Sequence, residues 1–556
     1  MIIMEISLLS DLTQKNSPSD IFLKVLEVRG YRSKESIATF LAPPFPTLNY
    51  LLENIKIKSS SLTKTKAIVE EEIQKGRDIC VFGDYDADGI TSTAILWQTL
   101  KLLNQKSKAR ILPFIPDRTR HGYGLSSRAL DDILSGSAFQ GTHYKDFSPS
   151  LIITVDNGIT ANEQVARLRA NHIKVIISDH HTPGTTLPKC DAIIHSDITS
   201  GAGIAWLTSL YISDSLQAVL DFIDLAAIGV TADQLPLKGI NRSIVKHGLM
   251  ALSNSKNKGL NALIKSAGLA SPVLSTYDIN YVLAPRLNAV GRIDNPLTAL
   301  RLLCSDSDLQ TATLAKMMNS SNEVRQELTS ASLSLALKSP AKDKVMVASS
   351  PEFHEGIIGL VAGKLAETHS RPAIVISEGK EVSKGSARSP KGVNITTLLR
   401  QTQDLLLSVG GHEQAAGFSL KTDKIPEFIA KITRIANTEI KPELLVKKVT
   451  AIAELLLSQI SLPLATLFEG LEPFGIGNSK PRFVSRNLTV LEWRFLGSGK
   501  HSKFTVEQDG ASREVIWFNS NLATPPSHIS SLVYTIDINR FRSNESLQLT
   551  AQYVVL

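Results

Sequence analysis

At 556 residues the chain is long for one hydrophobic core, and the usual ~100 to 200 residues per domain suggests three or four domains. Hydrophobic residues make up 43% and charged residues 20%, which excludes wholesale disorder and fits a modular enzyme. The 60 basic and 53 acidic residues leave a net charge of +7, a mild excess that favours a polyanionic partner only where basic side chains gather in patches. Cys80, Cys190 and Cys304 are odd in number and far apart, which argues against a disulfide framework or a thiolate zinc site and suits a reducing compartment. The apolar start carries Glu5 and lacks the basic flank of a secretory signal, and no apolar run reaches the ~18 residues needed to span a bilayer. A cytoplasmic protein without membrane contact is expected.

In chain order, residues 1–55 read as a helical lead-in, closed by Ala42-Pro43-Pro44-Phe45-Pro46, whose prolines cannot sit inside a helix. From 56 to 294 short apolar strands at 79–82, 151–155 and 175–178 alternate with helical segments, the pattern of an α/β parallel sheet. Between 295 and 338, Leu314, Met317, Ser321, Val324, Leu328, Ala331 and Leu335 recur every three or four residues and mark one face of a long connecting helix. A second, smaller α/β lobe is expected over 339–435, with a strand at 373–377. A linker and small β-barrel follow over 436–556, where alternation of period two runs through 533–539 and 547–554. Trp493, Arg494, Lys500, Lys503, Phe504, Arg540, Phe541 and Arg542 look exposed there, a mixture that suits base stacking along a backbone-tracking groove.

The chemistry concentrates where strands end. Asp84, Asp86 and Asp88 crowd into Gly83-Asp84-Tyr85-Asp86-Ala87-Asp88-Gly89 between an apolar strand and a helical run. One such acid would be accounted for by a turn or helix cap, but three repel one another and call for a compensating cation. Hard oxygen ligands point to magnesium or manganese. Asp156 ends a second strand, Asp179-His180-His181 a third, and Asp233 follows a helical run, so four segments deliver acids or imidazoles to the carboxyl edge of one sheet, where ligands bind. Asp233 alone also fits a plain helix terminus. Together these side chains suffice for two divalent ions, a pair that polarises phosphoryl oxygens and acidifies a bridging water for phosphoester hydrolysis.

Asp84-Tyr85-Asp86-Ala87-Asp88-Gly89, Val155-Asp156-Asn157-Gly158, Asp179-His180-His181 and Ala232-Asp233 resemble the four motifs of the DHH phosphoesterase superfamily. More narrowly, Gly122-Tyr123-Gly124-Leu125, the run from Ala284 through Arg286, Asn288 and Gly291 to Arg292, Gly385-Ser386-Ala387-Arg388-Ser389, Gly410-Gly411-His412 and Pro473-Phe474-Gly475-Ile476-Gly477-Asn478 are similar to the RecJ family of single-strand-specific exonucleases. The resemblance covers nearly the whole chain. It implies a DHH domain, a DHHA1 domain and an OB-fold, and a Mn2+- or Mg2+-dependent 5′→3′ exonuclease acting on single-stranded DNA in repair and recombination. Single-strand-binding protein and a helicase are the partners it suggests, and a monomer is expected.

By the same resemblance Asp84, Asp86, Asp88, Asp156, His180 and Asp233 form the metal set, with His181 near the scissile phosphate. Ser386, Arg388, Gly411 and His412 match positions expected to hold the strand across a cleft between the lobes. Arg388 offers a planar fork for phosphate oxygens on a glycine-rich backbone, although the same segment fits an ordinary loop. Arg286, Asn288 and Arg292 fit either strand contacts or hinge contacts, and Arg118, Arg120 and His121 either a basic loop or a solvated edge. His195-Ser196-Asp197 and Asp294-Asn295-Pro296 depart from the family's pattern. Two other functions remain compatible with such a core: hydrolysis of short oligonucleotides or cyclic dinucleotides, and a non-catalytic DNA-binding scaffold.

Overall fold

The computed structural model describes residues 4–13, 16–139, 146–338, 343–520, 522, 524–541 and 544–556. Arg542 therefore lies outside the described residues. The chain divides into two compact units, a larger one of Leu8–Gly291, Asn295–Asn319 and Thr450–Leu556 and a smaller one of Met1–Ser7, Arg292–Asp294 and Ser320–Val449.

The larger unit is built on a five-stranded sheet in the order Ile111–Phe114, Ile79–Phe82, Leu151–Val155, Lys174–Asp179, Ala192–His195, with every neighbouring pair parallel. Its central strands are buried on both faces, which is why they read as nearly continuous apolar runs. Ile79 and Val81 join the core with helices Ala87–Leu103 and Gly201–Ile212, while Cys80 and Phe82 face the core with Ser127–Leu134 and Asn162–Ala170. Parallel strands sandwiched this way all bring their carboxyl ends to one rim.

The same unit contains a closed barrel whose strands run in the order Phe483–Leu496, His501–Gln508, Ala511–Trp517, Asn544–Val555, His528–Phe541, returning to the first. Only Ala511–Trp517 and Asn544–Val555 pair parallel, and closure removes the open edges a small sheet would otherwise expose. The first 55 residues differ from the expected helical lead-in. They start with a strand, Met4–Leu8, that pairs with Lys447–Ala451. Helices Pro18–Val28 and Lys34–Leu41 then add Ile21, Val25, Leu26 and Phe40 to the barrel's core, whereas Leu48–Ile55 packs Leu51 and Ile55 into the core of the parallel sheet. Arg242 is buried and donates to the carbonyls of Phe40, Glu472 and Pro473.

The smaller unit holds a mixed five-stranded sheet ordered Leu406–His412, Ala415–Lys421, Val382–Arg388, Ala373–Ser377, Met346–Ser350, parallel only between the last two. The 29-residue helix Asp308–Ala336 is continuous through the sequence boundary between the units. The architecture is thus the α/β class with two lobes, a long connecting helix and a C-terminal OB-type barrel. Among the described residues no helix is long and apolar enough to cross a membrane.

Candidate metal centre

At the carboxyl rim of the parallel sheet the acids expected from the sequence converge. Asp156, His180 and His181 bring one ligand atom each within 4.8 Å of one another, and so do Asp84, Asp86 and Asp156 on one side and Asp88, His180 and Asp233 on the other. His180 joins the two, with Nε2 3.1 Å from Asp156 Oδ1 and 3.9 Å from Asp88 Oδ2, and Nδ1 3.7 Å from Asp233 Oδ2. Asp156 adopts φ 64°, a left-handed conformation that a non-glycine residue holds only when its surroundings impose it. Its side chain presses on the start of helix Gly201–Ile212, where a Cβ on Gly201 would lie 2.6 Å from Asp156 Oδ1.

The two readings of these acids, cap and ligand, coexist. Asp86 Oδ1 accepts from the Gly89 N–H and caps helix Ala87–Leu103. Asp233 is the C-cap of Ile223–Ala232, the end of a helix dipole where a negative charge is disfavoured. Asp88 accepts from Ser200 Oγ at 2.8 Å and from the N–H groups of Gly201 and Ala202 at 2.8 and 3.0 Å, so the first turn of Gly201–Ile212 cradles it. Sequence reasoning missed this cradle, although Ser200 before three small residues is a legible N-cap signal.

Asp179 is saturated rather than open to a ligand. It accepts from the backbone of Ile159, His180 and His181 and from His181 Nδ1 at 2.8 Å. His181 Nε2 lies 2.9 Å from Tyr123 Oη, a contact the sequence did not disclose. His195 reaches the His181 carbonyl with Nε2 at 2.8 Å, so the atypical segment there supports the second histidine from below. His121 is buried, its Nδ1 accepting from the Asp117 N–H and its Nε2 2.9 Å from Asp132, and so pins the loop. Arg120 also pairs with Asp132, and Arg118 lies 5.6 Å over the Tyr85 ring.

The electrostatics of the rim call for a cation. Burial first, then the charge of Asp86, holds the Asp84 carboxyl well above the usual range. Burial and the charges of Asp88, Asp86 and Asp84 do the same to Asp156. Burial, then Asp88 and Asp86, pushes Asp233 up to about 8. Burial lowers the basicity of His180, which keeps its imidazole available as a neutral ligand. His181 goes the other way: burial opposes its charge, but the Asp179 hydrogen bond together with the charges of Asp179, Asp233 and Asp84 raises it. Asp84 Oδ1 is buried without a hydrogen-bond partner among the described residues, and Asp156 Oδ1 is buried facing the His180 ring, with Nε2 at 3.1 Å. A buried oxygen left unsatisfied in a cluster of mutually repelling acids fits hard divalent ions such as Mg2+ or Mn2+.

The remaining expected residues fall in two places. Arg286 and Asn288 belong to helix Ala284–Ile293 of the larger unit. Arg286 donates to Asn319 Oδ1 and the Val282 carbonyl, and Asn288 Oδ1 accepts from the Ala87 N–H. Arg292 donates to the Gly356 carbonyl within the smaller unit. Gly385 to Arg388 is not a loop but strand, Val382–Arg388. Arg388 Nη1 lies 3.2 Å from Ser386 Oγ, and both flank Gly359 in the first turn of helix Ile358–His369, where a Cβ would meet each at 3.2 Å. Arg388 pairs in register with Ala415, and Ala415 with His412, so Arg388 and His412 share one face of that sheet. Gly411, at φ 149°, allows the strand to pass where a Cβ would lie 2.3 Å from the Ala415 carbonyl oxygen.

On the barrel the expected exposed set needs correction. Phe504 is buried and stacks on Trp493 at 4.3 Å between ring centroids. It belongs to the inward row Ser502, Phe504, Val506, which strand alternation dictates. Arg540 is paired with Glu469 and Glu545, and Lys503 with Glu514. Among the described residues Phe495 and Phe518 are exposed aromatic rings of the barrel, Lys500 is exposed, and Arg494 is exposed and lies 3.7 Å from Glu492.

Comparison with known proteins places these features in context. Family models match as the DHH family N-terminal domain over residues 78–230, the DHHA1 domain over 342–438 and the RecJ OB domain over 453–553. The single-stranded-DNA-specific exonuclease RecJ of Thermus thermophilus is 34% identical over 90% of this chain and 70% of its own length. That of Bacillus subtilis is 32% identical over 97% of this chain and 68% of its own. A crystal structure of Thermus thermophilus RecJ in complex with Mn2+ superposes with a TM-score of 0.81 at 29% identity, covering 100% of this chain and 79% of that one.

Proposed function

Since the chain belongs to the RecJ family of single-stranded-DNA-specific exonucleases, we propose that it removes nucleotides from the 5′ end of single-stranded DNA by metal-dependent hydrolysis, in DNA repair and recombination. The observation that carries the proposal is the set of overlapping ligand groups at one rim, with a buried oxygen of Asp84 left without a partner. Asp84, Asp86 and Asp156 would hold one divalent ion, and Asp88, His180 and Asp233 the other. Bound there, the pair would supply a polarised phosphoryl oxygen and an acidified water.

The chain's own residues do the rest. His180, kept neutral by burial, bridges the two ligand groups. The Ser200–Ala202 cradle fixes Asp88, and Asp179 fixes His181, leaving its Nε2 with only the Tyr123 hydroxyl to displace. That nitrogen is the group available to donate a proton to the departing oxygen of the scissile phosphate. Ser386, Arg388, Gly411 and His412 suit a phosphate of the strand, because a guanidinium, a hydroxyl and the first turn of a helix meet there. Arg286 and Arg292 are further strand contacts in this reading. Exposed Phe495, Phe518 and Lys500 on the barrel suit base stacking and phosphate neutralisation, for which a dinucleotide hydrolase would have no use.

The domain limits proposed are 56–294 for the DHH domain, 339–435 for DHHA1 and 436–556 for the linker and OB-fold. A monomer in the cytoplasm, working with single-strand-binding protein and a helicase, completes the proposal. Digestion of an oligonucleotide labelled at either end, with and without Mn2+, tests it. Loss of label from the 5′ end only with metal is expected, and release from the 3′ end, or turnover restricted to dinucleotides, would overturn it.

A further inference from the structure

The metal loop alternates. Asp84, Asp86 and Asp88 turn to the rim, while the backbone of Tyr85 and Ala87 turns to helix Ala284–Ile293. There Asn288 Oδ1 accepts the Ala87 N–H at 2.8 Å, a contact spanning 201 residues of sequence. One turn on, Gly291 runs so close to the loop that a Cβ would lie 2.6 Å from the Tyr85 carbonyl oxygen. Of the peptide groups on either side of Asp86, one is hydrogen-bonded by this helix and the other packs closely against it.

The same helical run reaches the other ligand group. Asn280 Oδ1 accepts from Gln234 Nε2 at 3.0 Å, and Gln234, at φ 59°, directly follows Asp233. In a uniform α-helix residues eight apart stand about 80° apart around the axis. Between Asn280 and Asn288, however, Ile279–Leu283 is a π-turn, whose wider winding brings the two asparagines closer to one face. A π-turn costs hydrogen-bond geometry, and here it aligns two carboxamides with two ligand-bearing segments.

We infer that Asn288 and Asn280 are positioning residues that set the spacing between the loop acids and Asp233, and that Asn288 is not a contact for the DNA strand. The inference rests on the metal-dependent reading above. Its test is calorimetric Mn2+ binding to the full chain, together with the affinity of a 5′-phosphorylated oligonucleotide measured in EDTA. N288L, which keeps the shape but lacks the acceptor, should bind Mn2+ at least about tenfold more weakly, as loss of a supporting partner usually does. N288D, which keeps an acceptor there, should bind more tightly than N288L, and strand affinity in EDTA should equal wild type in both. Unchanged Mn2+ binding with weakened strand binding would overturn the inference and restore a strand contact. Should N288L fail to fold, N280A carries the test: weakened Mn2+ binding supports the inference and wild-type affinity overturns it. A wild-type protein that binds no Mn2+ would instead sink the metal reading, and the inference with it.

Discussion

Replacing Asp233 by asparagine should stabilise the metal-free protein while weakening its hold on metal. Asp233 sits on a helix C-terminus, 3.7 Å from His180, with burial and two neighbouring carboxylates raising it from 3.8 to about 8. A carboxyl raised in the folded state contributes its full stability below the unfolded value and loses it as pH climbs through the folded one. At pH 7 about three units separate the ordinary value from the assay pH, each worth about 1.4 kcal/mol, so the cost is at most about 4 kcal/mol. At pH 5 it shrinks to about 2 kcal/mol. The carboxamide of Asp233→Asn keeps the shape without the charge. Urea unfolding in EDTA, followed by the fluorescence of Trp97 and Trp206 in the core of this sheet, should show the variant more stable than wild type, and more so at pH 7 than at pH 5. Added Mn2+ should reverse the order, because ligand stabilisation follows affinity. A variant less stable than wild type in EDTA at pH 7, or a difference independent of pH, would refute the electrostatic reasoning.

Asp156→Ala removes a proposed ligand that faces His180 at 3.1 Å and should abolish Mn2+-dependent digestion of a 5′-phosphorylated oligonucleotide with an unchanged circular dichroism spectrum; retained activity would contradict its assignment. Gly201→Ala sets a methyl 2.6 Å from Asp156 Oδ1 and should weaken calorimetric Mn2+ binding about tenfold without replacing any proposed ligand. On the barrel, Phe504→Ala empties a buried site and should cost about 3 to 5 kcal/mol in unfolding experiments. Phe518→Ala should leave stability alone and cost about 1 to 3 kcal/mol of single-strand affinity, measured by anisotropy.

The parallel sheet was legible where its strands are buried on both faces. The runs 79–82 and 151–155 coincide with Ile79–Phe82 and Leu151–Val155, because no charged residue and only Thr154 among polar ones interrupts them. The edge strands Ile111–Phe114 and Ala192–His195 were not foreseen. The first carries Pro113, which an edge tolerates but which breaks the strand signal, and the second is only half covered. The acids of the rim were legible because three in one loop cannot be explained by capping alone. What holds them was not. The Ser200 hydroxyl meets Asp88 across 112 residues, and Asn288 meets Ala87 across 201, distances over which local pattern carries no information. Phe504 differs from the exposed ring its composition suggests because strand alternation turns it inward: its neighbours Ser502 and Val506 are buried with it.

Anomalous diffraction from crystals soaked in saturating Mn2+ addresses the heart of the account. Two peaks should appear at the sheet rim, one among Asp84, Asp86 and Asp156 and one among Asp88, His180 and Asp233. A rim without anomalous density under those conditions would contradict it.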